Sequence, residues 1–159
     1  MTARDLTFRL DSPEATAALA RRIAARLEPG DVLLLDGPVG AGKTQFARNV
    51  ILECLSVHED VPSPTYTLVQ TYDGRAGEIW HADLYRLGDT SELEELGLSE
   101  AFEHAICLVE WPDCLGDMVP GDALTLTFSV PHGDDRRDLV LHWTDPRWNS
   151  RLDCLNDDA

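Results

Sequence analysis

Between Gly37 and Thr44 the chain reads GPVGAGKT, the pattern G-x-x-x-x-G-K-[ST] of a phosphate-binding loop. The apolar run Val32-Leu33-Leu34-Leu35 precedes it, and a helical stretch from Gln45 to Leu55 follows. Strand, Gly-rich turn and helix in that order constrain the fold more than any other feature, because the pattern has a mechanism only in that setting. Gly37, Gly40 and Gly42 permit backbone conformations that side chains forbid. N–H groups along the loop, those of Val39 and Ala41 included, can then point into one concavity. The helix N-terminus adds free N–H groups and a partial positive charge. Lys43 supplies a point charge for β- and γ-phosphates, and the Thr44 hydroxyl an oxygen ligand for Mg2+. Lys43 is the only lysine in the chain; every other basic residue is arginine. A compact ammonium on a flexible stem suits phosphates. The competing account is a chance Gly-rich turn.

With 159 residues, the chain is long enough for one well-packed domain, 1–159, and too short for two ordinary ones. A hydrophobic share of 43% fits a globular protein. The formal net charge of -16 opposes broad contact with a nucleic-acid backbone or an anionic membrane. Any link to RNA then runs through a partner. The acidity also fits a salty cytoplasm. No N-terminal apolar run reads as a signal peptide and no stretch is long enough to span a bilayer, so a cytoplasmic location is expected. Cys54, Cys107, Cys114 and Cys154 form no C-x-x-C pair and read as free thiols rather than zinc ligands.

The flanks of the loop are patterned. Leu6, Phe8 and Leu10 alternate with polar residues as in a half-buried strand. Ser12-Pro13 reads as an N-cap followed by proline at the first helical position, opening a helix with Leu19, Ile23 and Leu27 on one face. Thr16 on this helix would lie near a bound base if the helix flanks a nucleotide. The helix after the loop is expected to turn Phe46, Val50 and Leu52 toward a core.

Val61-Pro62-Ser63-Pro64-Thr65-Tyr66-Thr67 is held extended by its two prolines. In many P-loop NTPases a hydroxyl in such a segment, here Thr65 among others, senses the γ-phosphate and Mg2+. A Pro-rich lead-in to a strand is the alternative. Thr65–Tyr72 and Glu78–Leu84 then read as a hairpin. Asp83 stands at its strand end, where a carboxylate orients an attacking water or holds Mg2+ through water, unless it is merely a surface partner of an arginine. His81 has no partner at ligand spacing and reads as structural.

Ser91 and Glu94 form a capping box, and a short helix is expected from Ser99 to about His104. The acidic cluster Glu92, Glu94, Glu95, Glu100 and Glu103 reads as a solvated face or as a surface for a basic partner. Ala105–Val109 is a continuous apolar run, the mark of a buried central strand. Glu110 follows it, where P-loop ATPases place a second Mg2+ anchor, usually an Asp; a solvent-exposed strand-end acid is the alternative. Ala123–Val130 and Asp138–Trp143 read as an antiparallel hairpin added to the sheet, with Arg136 or Arg137 after its turn able to reach a nucleotide. Pro146 to Leu155 reads as a short terminal helix, and the tail, 155–159, as frayed.

Taken in order, GPVGAGKT (Gly37–Thr44), SPTYTLV (Ser63–Val69), HADLYRL (His81–Leu87), ELEELGL (Glu92–Leu98) and CLVEWP (Cys107–Pro112) resemble the TsaE family, formerly YjeE, small bacterial ATPases of tRNA threonylcarbamoyladenosine synthesis. The resemblance covers roughly residues 12 to 143. It implies an α/β fold: a P-loop NTPase-like three-layer domain with a mixed, mainly parallel sheet. It also implies a loop, Gly37-Pro38-Val39-Gly40-Ala41-Gly42-Lys43-Thr44, that binds ATP phosphates. Thr44 and Glu110 would sit on Mg2+, Ser63–Thr67 would switch with nucleotide state, Asp83 would serve hydrolysis alongside Lys43 and Glu110, and Trp111 would lie by the nucleotide. The implied partners are TsaB and TsaD, which transfer the threonylcarbamoyl group to the adenosine beside the anticodon of ANN-reading tRNAs. The family's ATPase resets or regulates that complex, is slow alone, and meets tRNA only through its partners. Two departures stand out. Pro38 replaces the usual acidic residue and removes a backbone donor. The C-terminal hairpin that carries Arg136 matches only loosely.

Two other functions compete. A P-loop small-molecule kinase needs an arginine-rich lid, and arginines after Arg86 are few and scattered. A nucleotide-gated binding module would bind Mg-ATP without hydrolysis. No Asn-Lys-x-Asp stretch of guanine-specific GTPases is present.

Overall fold

The computed structural model describes residues 4–38, 41–55, 69–85, 97–130 and 136–156. In chain order the elements are β1 (Arg4–Leu10), α1 (Pro13–Ala24), β2 (Val32–Asp36), α2 (Lys43–Cys54), β3 (Val69–Asp73), β4 (Glu78–Asp83), α3 (Leu98–His104), β5 (Ile106–Glu110), a 3-10 helix (Pro112–Met118), β6 (Leu124–Ser129), β7 (Arg137–Trp143) and α4 (Arg147–Asn156). The strands form one seven-stranded sheet in the order β1-β7-β6-β2-β5-β4-β3.

The two continuous apolar runs become its centre. β2 and β5 pair in parallel, and β6 and β4 flank them, also in parallel. Such strands are buried on both faces, which is why neither run alternates. In β2, Leu33 and Leu35 face one layer of helices, α1, α2 and α4, with Leu19, Phe46, Val50 and Trp148. Val32 and Leu34 face the other side, with Leu98 and Ala101 of α3 and Leu115 of the 3-10 helix. The outer strands are antiparallel: β3 on β4 at one edge, β7 on β6 and β1 on β7 at the other. The architecture is thus mixed α/β, with a mainly parallel middle and helices on both faces.

The start of α1 follows its sequence signals: Ser12 Oγ accepts from Ala15 N at 3.1 Å, and Pro13 occupies the first turn. The helix ends at Ala24, yet Leu27 beyond it is still buried. The hairpin of β6 and β7 forms, but it is no simple appendage, because β6 pairs with β2 inside the parallel block. Two expectations are corrected. Leu52 is exposed, and α2 instead buries Phe46, Ala47, Val50 and Ile51, a face set by adjacent positions one turn apart. Leu155, expected in the frayed tail, is a buried residue of α4, held in the core with Trp148 and Leu152. Thr65 and the rest of Ser63–Thr67, Val39, Gly40, the capping box at Ser91 and Glu94, and the turn at 131–135 lie outside the described residues. Among the described residues no helix is long and apolar enough to cross a membrane.

Candidate functional site

β2, β5 and β4 end at the same edge of the sheet, and their last residues are acidic: Asp36, Glu110 and Asp83. The register sets Leu35 beside Glu110 and Glu110 beside Asp83, so this part of the edge is a row of neighbours. Chain order reverses here, with β6 on one side of β2 and β5 on the other. Open α/β sheets hold ligands at such switch points.

The loop from β2 to α2 rises from this row. Gly37 has φ +140°, and an added Cβ would lie 2.6 Å from the Phe128 carbonyl oxygen of β6. Gly42, the N-cap of α2, has φ +101° and open space around it. The two glycines are therefore required for different reasons: Gly37 for close approach to β6 as well as conformation, Gly42 for conformation alone. Gly37→Ala is expected to cost about 2–4 kcal/mol of stability, from left-handed strain plus overpacking. Gly42→Ala is expected to cost only about 1–2 kcal/mol. Thermal melts of the two variants check the order. With no side-chain cap at Gly42, the first-turn N–H groups of α2 are left to a ligand.

Lys43 opens α2 and is only 4% exposed. Its Nζ donates to the Gly37 carbonyl oxygen at 2.5 Å and sits 3.2 Å from the centroid of the Trp111 ring. Burial lowers its pKa from the ordinary lysine value, and the carboxylates of Glu110, Asp36 and Asp83 act the other way. Trp111 reaches this position through a left-handed backbone (φ +62°), the one positive φ outside glycine among the described residues. Such a conformation costs of order 1–3 kcal/mol and gathers at functional sites. Tyr85, largely exposed, packs on the Trp111 ring with centroids 5.0 Å apart.

Thr44, the next residue of α2, donates from Oγ1 to Glu110 Oε1 at 2.7 Å. Glu110 is 2% exposed, so the alternative of a solvent-exposed strand-end acid does not hold. Its second oxygen, Oε2, lies 2.7 Å from Nε2 of His81, which is 1% exposed. Sequence reasoning set His81 aside for want of a ligand-spaced partner. The signal available was strand parity: His81 precedes Asp83 by two residues and so shares its face.

Asp83 is half-buried, with Oδ1 accepting from Tyr85 N at 3.1 Å. Burial raises its pKa above the ordinary carboxylate value; the Tyr85 N–H opposes that, Glu110 adds to it, and His81 and Lys43 oppose it. A raised pKa makes the ionised carboxylate a better proton acceptor.

Lys43, Thr44, Asp83, Glu110 and Trp111 are thus gathered at one edge, with Gly37, Ala41 and Gly42 forming the described part of the turn. Pro38 is exposed, and its carbonyl accepts from Ala41 N at 3.2 Å. Arg136 precedes β7 and lies on the same edge, but its guanidinium pairs with Asp138 at 3.0 Å. Thr16 is buried, with its hydroxyl turned back on the Ser12 carbonyl oxygen. Among the described residues no three His, Cys, Asp or Glu side chains form a metal cage. One carboxylate beside one hydroxyl is the protein share that Mg2+ takes when it keeps waters and phosphate oxygens as its other ligands.

A family model described as threonylcarbamoyl adenosine biosynthesis protein TsaE matches residues 10–139. The Bacillus subtilis tRNA threonylcarbamoyladenosine biosynthesis protein TsaE is 39% identical over 87% of this chain and 85% of its own. The Rickettsia conorii protein of the same name is 33% identical over 93% and 86%. The crystal structure of YdiB from Bacillus subtilis superposes with a TM-score of 0.81 at 31% identity, covering 99% of this chain and 98% of that one. With the family model spanning most of its length and relatives matching nearly end to end, the chain belongs to the TsaE family.

Proposed function

We propose that this chain is a Mg2+-dependent ATPase with a P-loop NTPase fold that acts in tRNA N6-threonylcarbamoyladenosine formation. It works with TsaB and TsaD in the cytoplasm, resets or regulates their transferase cycle, and is not itself the transferase. The observation that carries the reading is the bond from Thr44 Oγ1 to Glu110 Oε1, 2.7 Å long, made beside a buried lysine at an uncapped helix start. A hydroxyl and a carboxylate from distant parts of the chain meet where a phosphate-bound cation needs both. The pathway rests on the names of the relatives, and the partners on the resemblance of the motif set alone.

The residues divide the work. The loop and the first turn of α2 direct N–H groups at phosphate oxygens, and Lys43 adds a full charge. Thr44 and Glu110 would hold Mg2+, which would neutralise charge developing on the transferred phosphoryl group. Asp83 stands next to Glu110 in register, with one carboxylate oxygen occupied by Tyr85 N and the other able to orient the attacking water. Trp111 and Tyr85 offer ring faces at the rim. Phosphoryl transfer needs little beyond positioning and electrostatics, so a site with one such carboxylate fits slow turnover that partners accelerate.

Phosphate release from Mg-ATP, measured alone and with TsaB plus TsaD, tests the proposal. Strong stimulation is the expected result; nucleotide binding with no phosphate release under either condition would replace the ATPase by a non-hydrolysing switch. Asp83→Ala is expected to bind nucleotide within about threefold of wild type and to lose about 100-fold in stimulated hydrolysis. Wild-type turnover by that variant would remove Asp83 from the reaction.

A further inference from the structure

We propose that His81 is a positioning residue for the Mg-nucleotide site: its Nε2–H holds the Glu110 carboxylate in the orientation that presents Oε1 to Thr44 and the bound cation. The inference rests on the ATPase reading and deepens it. β4 and β5 run in parallel with His81 opposite Leu108 and Asp83 opposite Glu110. His81 therefore stands one row deeper in the sheet than the carboxylates, on their own face, behind Asp83 on β4 and diagonal to Glu110 on β5. Its Nε2 is 2.7 Å from Glu110 Oε2, and both side chains are almost fully enclosed, so water does not make this bond in its place.

The hydrogen has one available owner. An ionised carboxylate only accepts, so Nε2 carries the proton and donates. His81 Nδ1 is buried with no hydrogen-bond partner among the described residues, so the bond to Glu110 is the contact that orients the ring. The imidazole is fixed as a one-way donor aimed at Glu110.

Glu110 is thereby held at two points from two elements, Thr44 on α2 and His81 on β4. They are not equivalent. The Thr44 contact lies where the cation would bind and must rearrange when it does. The His81 contact lies on the far oxygen and persists in both states. It limits the carboxylate to one rotamer before ligand arrives, which lowers the ordering cost of binding. Bonds of this kind behind a metal ligand are commonly worth 10–100-fold in metal affinity. A purely space-filling role would be met as well by an apolar residue, since Ile79, two residues earlier on the same face, is a core residue.

The test uses the full chain as wild type, His81→Gln, His81→Asn and His81→Leu. Binding of a non-hydrolysable ATP analogue is titrated at fixed Mg2+, in EDTA, and across Mg2+ concentrations, with a thermal melt of each protein. Gln carries an N–H at the reach of Nε2, whereas Asn is one methylene short and Leu has none. The expected result is a Mg2+ requirement raised about tenfold in His81→Asn and His81→Leu. His81→Gln should stay within about threefold of wild type, and affinity in EDTA should be unchanged throughout. The Gln–Asn comparison stands alone if the Leu variant does not fold. A wild-type Mg2+ requirement in His81→Asn, or equal loss in Gln and Asn that tracks their melting temperatures, overturns the positioning role. Wild-type protein that binds the analogue no better with Mg2+ than in EDTA would instead overturn the ATPase reading and this inference with it.

Discussion

Lys43→Ala is expected to lower partner-stimulated ATP hydrolysis by about two to three orders of magnitude, the loss typical of removing one preorganised stabilising group from a reacting centre. The charge balance at the strand ends gives the reason. Asp36, Asp83 and Glu110 all act on Lys43, and without it three carboxylates face a polyanion. No other lysine exists in the chain, and Arg136, on the same edge, is paired with Asp138. The fold should survive. Burial already lowers the Lys43 pKa, so the ammonium is held at some cost, and alanine is the best helix former for the first turn of α2. The melting temperature should therefore stay within a few degrees of wild type while hydrolysis collapses. Lys43→Arg should not rescue it, because a planar fork does not fit a place shaped by the Gly37 carbonyl and the Trp111 face. Phosphate release and thermal melts on the three proteins decide the matter. Hydrolysis by Lys43→Ala within threefold of wild type would show that the lysine serves the ring and the carbonyl rather than the phosphates.

Much of this site was legible because short-range chemistry wrote it. The loop pattern constrained Gly37, Gly42, Lys43 and Thr44 together, since only glycine takes the φ values found at Gly37 and Gly42 easily. The continuous apolar run Ala105–Val109 announced β5 as a central strand, and Glu110 after it pointed to the strand end where Asp36 and Asp83 also stand. What sequence could not supply was register. Nothing local to His81 says that β4 will lie beside β5 with residue 81 opposite 108, so that its side chain reaches diagonally to Glu110. The parallel pairing of β6 with β2 was hidden for the same reason, because alternation reports a half-buried strand but not its neighbour. Leu52 failed differently. Helical spacing allowed several faces, and packing chose the one through Phe46, Ala47, Val50 and Ile51. Trp111 lay between: its place after a buried strand was readable, but its left-handed backbone, which brings the indole over Lys43, was not.

Glu110 is the residue where loss of function and loss of stability are expected to separate by variant. Glu110→Ala deletes the acceptor of two hydrogen bonds, leaving the Thr44 hydroxyl and the buried His81 Nε2–H unpaired and Lys43 with only Asp36 and Asp83 facing it. Stranding groups of this kind costs about 1–3 kcal/mol each, so this variant should melt well below wild type as well as fail to hydrolyse ATP. Glu110→Gln keeps the shape. Its carbonyl oxygen accepts from His81, and its amide donates to the Thr44 hydroxyl, which can accept in turn. That exchange keeps a hydrogen bond to each neighbour and removes the charge. Glu110→Gln should therefore melt close to wild type yet lose hydrolysis by about two orders of magnitude or more. Its residual rate should need far more Mg2+, because a hard cation prefers the carboxylate. Mg2+ titration of phosphate release, set beside melts of both variants, separates the two roles. Full activity in Glu110→Gln at the wild-type Mg2+ requirement would mean that the bond to Thr44 matters and the charge does not. The cation would then have to be held elsewhere on this edge, with Asp83, the carboxylate next to Glu110 in register, as the next group to replace.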